Sequence, residues 1–130
     1  MPHAINDEAL DTIFRSARTQ NKWLDKPVSN ALLMAIYDLM RWGPTSANCS
    51  PARIVFVTTP EAKERLKPHL SEGNRAKTMA APATAIIGYD LNFADRLPFL
   101  FPQAPDAKNW FKNPPGHAER TAFRNGSLQG

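Results

Sequence analysis

The sequence predicts a helix-rich chain packed around a small sheet, of α+β or α/β class, and three stretches carry that reading. Residues 29–40 place Leu32, Leu33, Ile36, Leu39 and Met40 on the i, i+1, i+4, i+7, i+8 stripe of a core-facing helix. Ile54, Val55, Phe56 and Val57 form a continuous apolar run, too short for a helix and suited to a strand covered on both faces. Residues 83–89 read as a second strand, and the helical stretch between the two strands implies a mixed sheet with helical layers.

The other elements follow in chain order. Asn6 or Asp7 caps a first helix in which Leu10, Ile13, Phe14 and Ala17 share one face, running to about Arg18. A polar connection holding Trp23 leads to Ser29, the cap of the second helix, which Gly43 and Pro44 stop. Thr59-Pro60-Glu61 supplies an N-cap, an N1 proline and an acidic first turn for a third helix, with Ala62, Leu66 and Leu70 inward. A short helix over residues 73–81 precedes Pro82. Residues 90–116 are proline-rich and irregular, yet residues 97–101 with Trp110 and Phe111 are too apolar for a linker. This excursion is expected to pack onto something, as a lid or an interface element. Residues 117–128 have helical character with Ala118, Ala122 and Phe123 aligned, and no closing strand precedes Gly130, so the sheet is expected to be incomplete at its C-terminus.

With 130 residues, 42% hydrophobic and 22% charged, the chain has the composition of one compact domain over residues 1–130. No apolar run approaches the roughly 20 residues that cross a bilayer, and residues 1–11 are polar and acidic, so a cytoplasmic protein without a membrane partner is expected. Cys49 is the only cysteine, which excludes an intrachain disulfide and a cysteine-based zinc site. The net charge of +4 is dispersed. Even Lys63 to Lys67 stands among Glu61 and Glu64, as on a solvated helix face, and nucleic acid is not an expected partner. His3, His69 and His117 share no metal-ligand spacing, so no metal is expected.

Residues 43–53, Gly-Pro-Thr-Ser-Ala-Asn-Cys-Ser-Pro-Ala-Arg, lie between the strongest helix and the strongest strand. Two prolines bracket the loop and a glycine supplies a backbone shape that other residues resist, which presets it. Thr45, Ser46 and Asn48 offer hydroxyl and amide groups to a planar polar ligand, and Ala47 leaves room for close approach. The same composition is also that of an ordinary turn.

The order of an Arg-containing polar connection, Lys26-Pro27-Val28, a helix, residues 42–53 and a strand resembles the flavin-dependent nitroreductase family. The likeness runs from about Ala17 through Gln129, is most specific over residues 42–53 and 121–129, and is nearest to the malonic semialdehyde reductase branch of pyrimidine degradation. It implies an α+β, nitroreductase-like homodimer with helices packed on the sheet and one flavin mononucleotide (FMN) in each of two sites at the subunit interface. It further implies that NAD(P)H and the acceptor react in turn, and that the family's C-terminal part is missing from these 130 residues.

The resemblance also assigns residues. Pro44, Thr45, Ser46, Ala47 and Asn48 occupy the family's ring-lining loop, and Asn74 and Lys77, an i, i+3 pair, match the asparagine and lysine at the ring's polar edge. A cation there offsets negative charge gained on reduction. For the phosphate arm, Arg15-Ser16-Ala17-Arg18 copies the family's Arg-Ser-x-Arg pattern literally. Counting back from Lys26-Pro27-Val28 instead places Arg18 and Thr19 at the Arg-Ser positions and Asn21 at the second arginine, with no insertion. An amide in place of a guanidinium lacks the charge-assisted part of a phosphate contact. No dedicated catalytic side chain is required, since the flavin carries the hydride. The implied activity is reduction of malonic semialdehyde to 3-hydroxypropanoate, or of a nitro or quinone-type acceptor. The alternative is a catalytically silent remnant that binds flavin or pairs with a full-length subunit. Cys49 has no histidine or acidic neighbour in sequence to activate it as a nucleophile.

Overall fold

Local signals decide where the helices start. In the computed structural model, which describes residues 4–129, Asn6 Oδ1 accepts the Ala9 amide and opens α1 (Asp7–Leu10). A π-helical turn (Asp11–Arg15) continues it and ends short of Arg18. The Ser29 hydroxyl accepts the Leu32 amide and opens α2 (Asn30–Met40). Thr59 does the same for Ala62 at the head of α3 (Pro60–Leu66), with Pro60 at N1. A 3-10 turn (Lys67–His69) built around Pro68 separates α3 from α4 (Glu72–Ala80). His3 and Gly130, named above, lie outside the described residues.

β1 (Ala52–Val57) and β2 (Thr84–Tyr89) pair antiparallel, with Ala52 opposite Tyr89 and Val57 opposite Thr84. The expected mixed sheet is therefore not formed: the sheet of the described residues has two strands and is purely antiparallel. β1 is not covered on both faces either, since Val55 is exposed. A continuous apolar run does not distinguish one buried face from two. The architecture is α+β, as the sequence implied.

The core sits where the sequence was least regular. Phe93, Leu97, Ala107 and Phe111, from the irregular stretch, join Cys49 of the 43–53 loop and Ala122 of α6 (His117–Gln129) in one buried cluster. A 3-10 turn (Phe93–Arg96), α5 (Leu97–Leu100) and a second 3-10 turn (Pro105–Asn109) bring those side chains inward. Phe93 and Phe111 meet edge to face at 4.9 Å, and Phe111 stacks on His117 at 5.6 Å. The excursion thus supplies most of the core, with Leu91, Phe99 and Trp110 left largely exposed.

α6 lies against the sheet. A Cβ added at Gly126 would meet the Tyr89 Cβ at 3.4 Å, and Tyr89 packs edge to face on Phe123 at 5.9 Å. The α2 stripe does not behave as expected: Leu33 is buried, with Tyr37 and Met40 half-buried on its line, whereas Leu32, Ile36 and Leu39 face outward, Leu39 at 76% exposure. Apolar residues surround this helix, so periodicity alone could not tell which line would turn inward. Ile13 and Phe14 are exposed as well. No described helix is long and apolar enough to cross a membrane.

Phe93→Ala empties the centre of the cluster. A loss of about 3–5 kcal/mol is expected against a typical total of roughly 5–15 kcal/mol, read as a large drop in the midpoint of urea unfolding. An unchanged midpoint would place the core elsewhere.

Candidate functional site

The 43–53 loop is held from three sides. A 3-10 turn (Ser46–Asn48) lies at its centre, with the Asn48 amide on the Thr45 carbonyl and the Cys49 amide on the Ser46 carbonyl, both at 3.0 Å. Thr45 Oγ1 accepts the Ser50 amide at 3.0 Å. From α6, Asn125 Oδ1 accepts the Ser46 amide at 2.8 Å, and Gln129 Oε1 accepts the Ala52 amide at 3.0 Å. Asn125 is itself oriented by donating Nδ2 to the Thr121 carbonyl at 2.9 Å. From α5, the Leu100 carbonyl accepts Asn48 Nδ2 at 2.8 Å.

These contacts hold backbone that L-residues resist. Ala47 and Asn48 have φ of 50° and Ser50 of 36°, where each non-glycine residue costs on the order of 1–3 kcal/mol. Gly43 does not take a left-handed conformation, so the loop's unusual shape comes from these three residues and not from its glycine. Cys49 is fully buried. Burial pushes its thiol above the ordinary 9.0, against the smaller lowering effect of hydrogen bonds from Thr45 and its own backbone. The thiol is therefore protonated at neutral pH and is not an activated nucleophile.

A second group of residues converges elsewhere. A cleft of about 760 Å³ opens between the polar connection at 21–27 and α4, lined by Asn21, Trp23, Asp25 and Lys77 among others. Its charged lining is Lys22, Lys26, Lys63 and Lys77 against the single acid Asp25. Lys77 Nζ donates to Asn21 Oδ1 at 3.1 Å, and Trp23 Nε1 donates to the Lys77 carbonyl at 2.7 Å. Lys63 reaches across from α3 to donate its Nζ to the Met79 carbonyl at 3.2 Å and to the Ala81 carbonyl, capping the end of α4.

The fold thus unites Asn21 and Lys77, 56 residues apart. Arg18 is not part of that group: its guanidinium donates to the Arg15 and Ala17 carbonyls at 3.0 and 2.6 Å. Thr19 and Asn74 are exposed, with Asn74 one turn before Lys77 on α4. Pro44, Thr45, Ser46, Ala47 and Asn48 stay together in the loop but line no part of the 760 Å³ cleft. Asn48 instead borders a separate cleft of about 300 Å³ with Tyr37, Trp42 and Gln129. Sequence reasoning missed Trp23, Asn125 and Gln129. The i, i+4 spacing of the two amides on a helix was the available signal for the second and third.

Residues 14–124 match the model of the Nitroreductase family. A Stenotrophomonas maltophilia protein with the provisional name NADH dehydrogenase/NAD(P)H nitroreductase is 61% identical over 130 residues, covering 100% of this chain and 66% of that protein. A Burkholderia lata protein with the same provisional name is 62% identical over 126 residues, covering 97% of this chain and 64% of that one. The chain therefore spans just under two thirds of the length of these curated relatives. Among solved structures, a provisionally named nitroreductase from Exiguobacterium sibiricum in complex with FMN superposes with a TM-score of 0.82 at 16% identity, covering 99% of this chain and 68% of its own.

Two outcomes test this geometry. Asn125→Ala leaves the Ser46 amide without its acceptor and is expected to cost about 1–3 kcal/mol, with faster hydrogen exchange at Ser46. Equal stability and exchange would show that the clamp contributes nothing. Because the Cys49 thiol is raised in the folded state, the unfolded chain ionises first, so the stability tied to it is intact below 9.0 and falls as pH rises beyond that value. Denaturant midpoints followed upward through that range should show a component of the fall that Cys49→Ala removes.

Proposed function

The chain belongs to the nitroreductase family, and on that premise we propose that residues 1–130 act as one domain of an FMN-dependent NAD(P)H oxidoreductase. The acceptor class is a small aldehyde, malonic semialdehyde going to 3-hydroxypropanoate, or a nitro or quinone-type compound. The observation that carries this reading is the 760 Å³ cationic cleft that unites Asn21 and Lys77. Its size is that of a small-molecule site, and its excess of lysine over acid suits an anionic ligand. Bound FMN supplies the hydride chemistry between nicotinamide and acceptor.

The chain's own residues bind and orient. Lys77 holds a positive charge at the cleft, with Asn74 on the same helix and Asn21 on the facing arm, while Arg18 and Thr19 precede that arm outside the cleft lining and are the candidates to close on a phosphate. Arg18 must turn from its exposed backbone partners to meet a phosphate. In the loop, the Ser46 hydroxyl and Asn48 Oδ1 make no hydrogen bond among the described residues and remain for a ligand, while Thr45 is engaged with the Ser50 amide. No residue of residues 43–53 lines the cleft, so both groups meet one ligand only if a second copy contributes its loop. The exposed line Leu32, Ile36 and Leu39, followed by Trp42 at 78% exposure, supports such a homodimer. The same exposed residues favour a second reading, in which the chain binds flavin or pairs with a longer subunit without turnover.

Mixing the purified chain with FMN, removing the excess and reading the visible flavin bands tests the first step. Retained flavin and acceptor-dependent NAD(P)H oxidation are expected. Lys77→Ala should weaken flavin binding by about 10- to 100-fold, the loss of one hydrogen bond from a charged group. Retained flavin without oxidation supports the second reading, and a colourless protein refutes both flavin readings.

A further inference from the structure

Residues 19–27 contain no helix or strand, and among the described residues they reach the rest of the chain through two hydrogen bonds that both end on Lys77. Trp23 Nε1 meets the Lys77 carbonyl at 2.7 Å, and the same carbonyl accepts the Ala81 amide at 3.1 Å in the helix. The indole therefore uses the oxygen's second lone pair and leaves α4 intact. Lys77 Nζ meets Asn21 Oδ1 at 3.1 Å, which occupies one of the ammonium's three donors. A lysine head on a four-carbon stem is mobile by default, and Lys22, Lys26 and Lys63 line the same cleft, so mutual repulsion favours its turning away. An amide oxygen restrains that head without neutralising it. A carboxylate at position 21 would restrain it and cancel its charge.

We infer that Asn21 and Trp23 are positioning residues that together hold the Lys77 ammonium at the cleft wall, and that the Asn21 amide serves Lys77 and not an anion. What the ammonium then faces rests on the flavin reading of the cleft. The clasp itself does not. Asn21 thereby acquires a role different from the phosphate contact that alignment alone suggests for it.

The test uses the full chain with Trp23→Phe and Asn21→Arg. The first keeps an aromatic ring and deletes the N–H, and the second removes the acceptor and adds a cation. Without ligand, backbone NMR order parameters over residues 19–27 should fall in both variants, with melting temperatures close to the parent's. With FMN, both should bind about tenfold more weakly, the loss of roughly one hydrogen bond, and in Trp23→Phe, which adds no charge, the midpoint potential of bound flavin should become more negative as Lys77 loosens. Tighter FMN binding by Asn21→Arg would overturn the inference, because the position would then serve the anion. Unchanged order parameters in the variants would overturn it equally. If Trp23→Phe fails to fold, Asn21→Arg, which alters an exposed side chain, decides alone. Failure of the parent chain to bind FMN would refute the flavin reading, and the order-parameter comparison would still decide the clasp.

Discussion

Two amide side chains on one face of α6 hold the 43–53 loop in place. Asn125 and Gln129 are four residues apart, and their oxygens accept the amides of Ser46 and Ala52 at 2.8 and 3.0 Å. One helical turn thus spans the segment holding the left-handed residues Ala47, Asn48 and Ser50 and grips it at both ends. Between the grips, Cys49 enters the core beside Phe93, Leu97 and Ala122. Residues with positive φ persist only where surroundings over-determine them, and here the surroundings are a helix about 80 residues later in the chain together with the core beneath. Loop shape and core packing are consequently one cooperative unit.

The cleft at Lys77 is built on a different logic. There the wall is an irregular arm and the frame is a short helix, itself capped by Lys63 from α3. No apolar residue of the arm is buried, and polar contacts join it to the helix. Net hydrogen-bond contributions of about 0.5–1.5 kcal/mol each make such a wall adjustable, in contrast to the clamped loop. A rigid half and an adjustable half suit a site assembled from two copies, in which one surface is presented ready-made and the other closes on the ligand. That assignment of roles follows the proposed dimeric reading and supplies a physical reason for the separation of the two groups within one chain.

Local chemistry was legible residue by residue. Asn6, Ser29 and Thr59 cap helices as their side chains dictate, and Pro60 sits at N1 where its missing N–H costs nothing. The α+β class and the two strands were also readable, because β-branched runs and helical periodicity are properties of short windows. The family resemblance assigned Asn21 to the phosphate arm and Lys77 to the ring's polar edge, and the fold places Lys77 Nζ 3.1 Å from Asn21 Oδ1.

What lay beyond the sequence depended on distant partners. Periodicity showed that α2 is apolar but not that Leu33 would turn inward while Leu39 would not, since that choice is made by whatever packs against the helix. The stretch at 93–111 reads as irregular because its turns are short, yet it forms the core because Phe93, Leu97 and Phe111 find Cys49 and Ala122 across the fold. The left-handed backbone at Ala47, Asn48 and Ser50 had no glycine to announce it and exists because Asn125 and Gln129 hold it there. Capping, propensity and charge act within a few residues and are written in order along the chain; burial and strain are settled only when segments far apart in sequence close on one another.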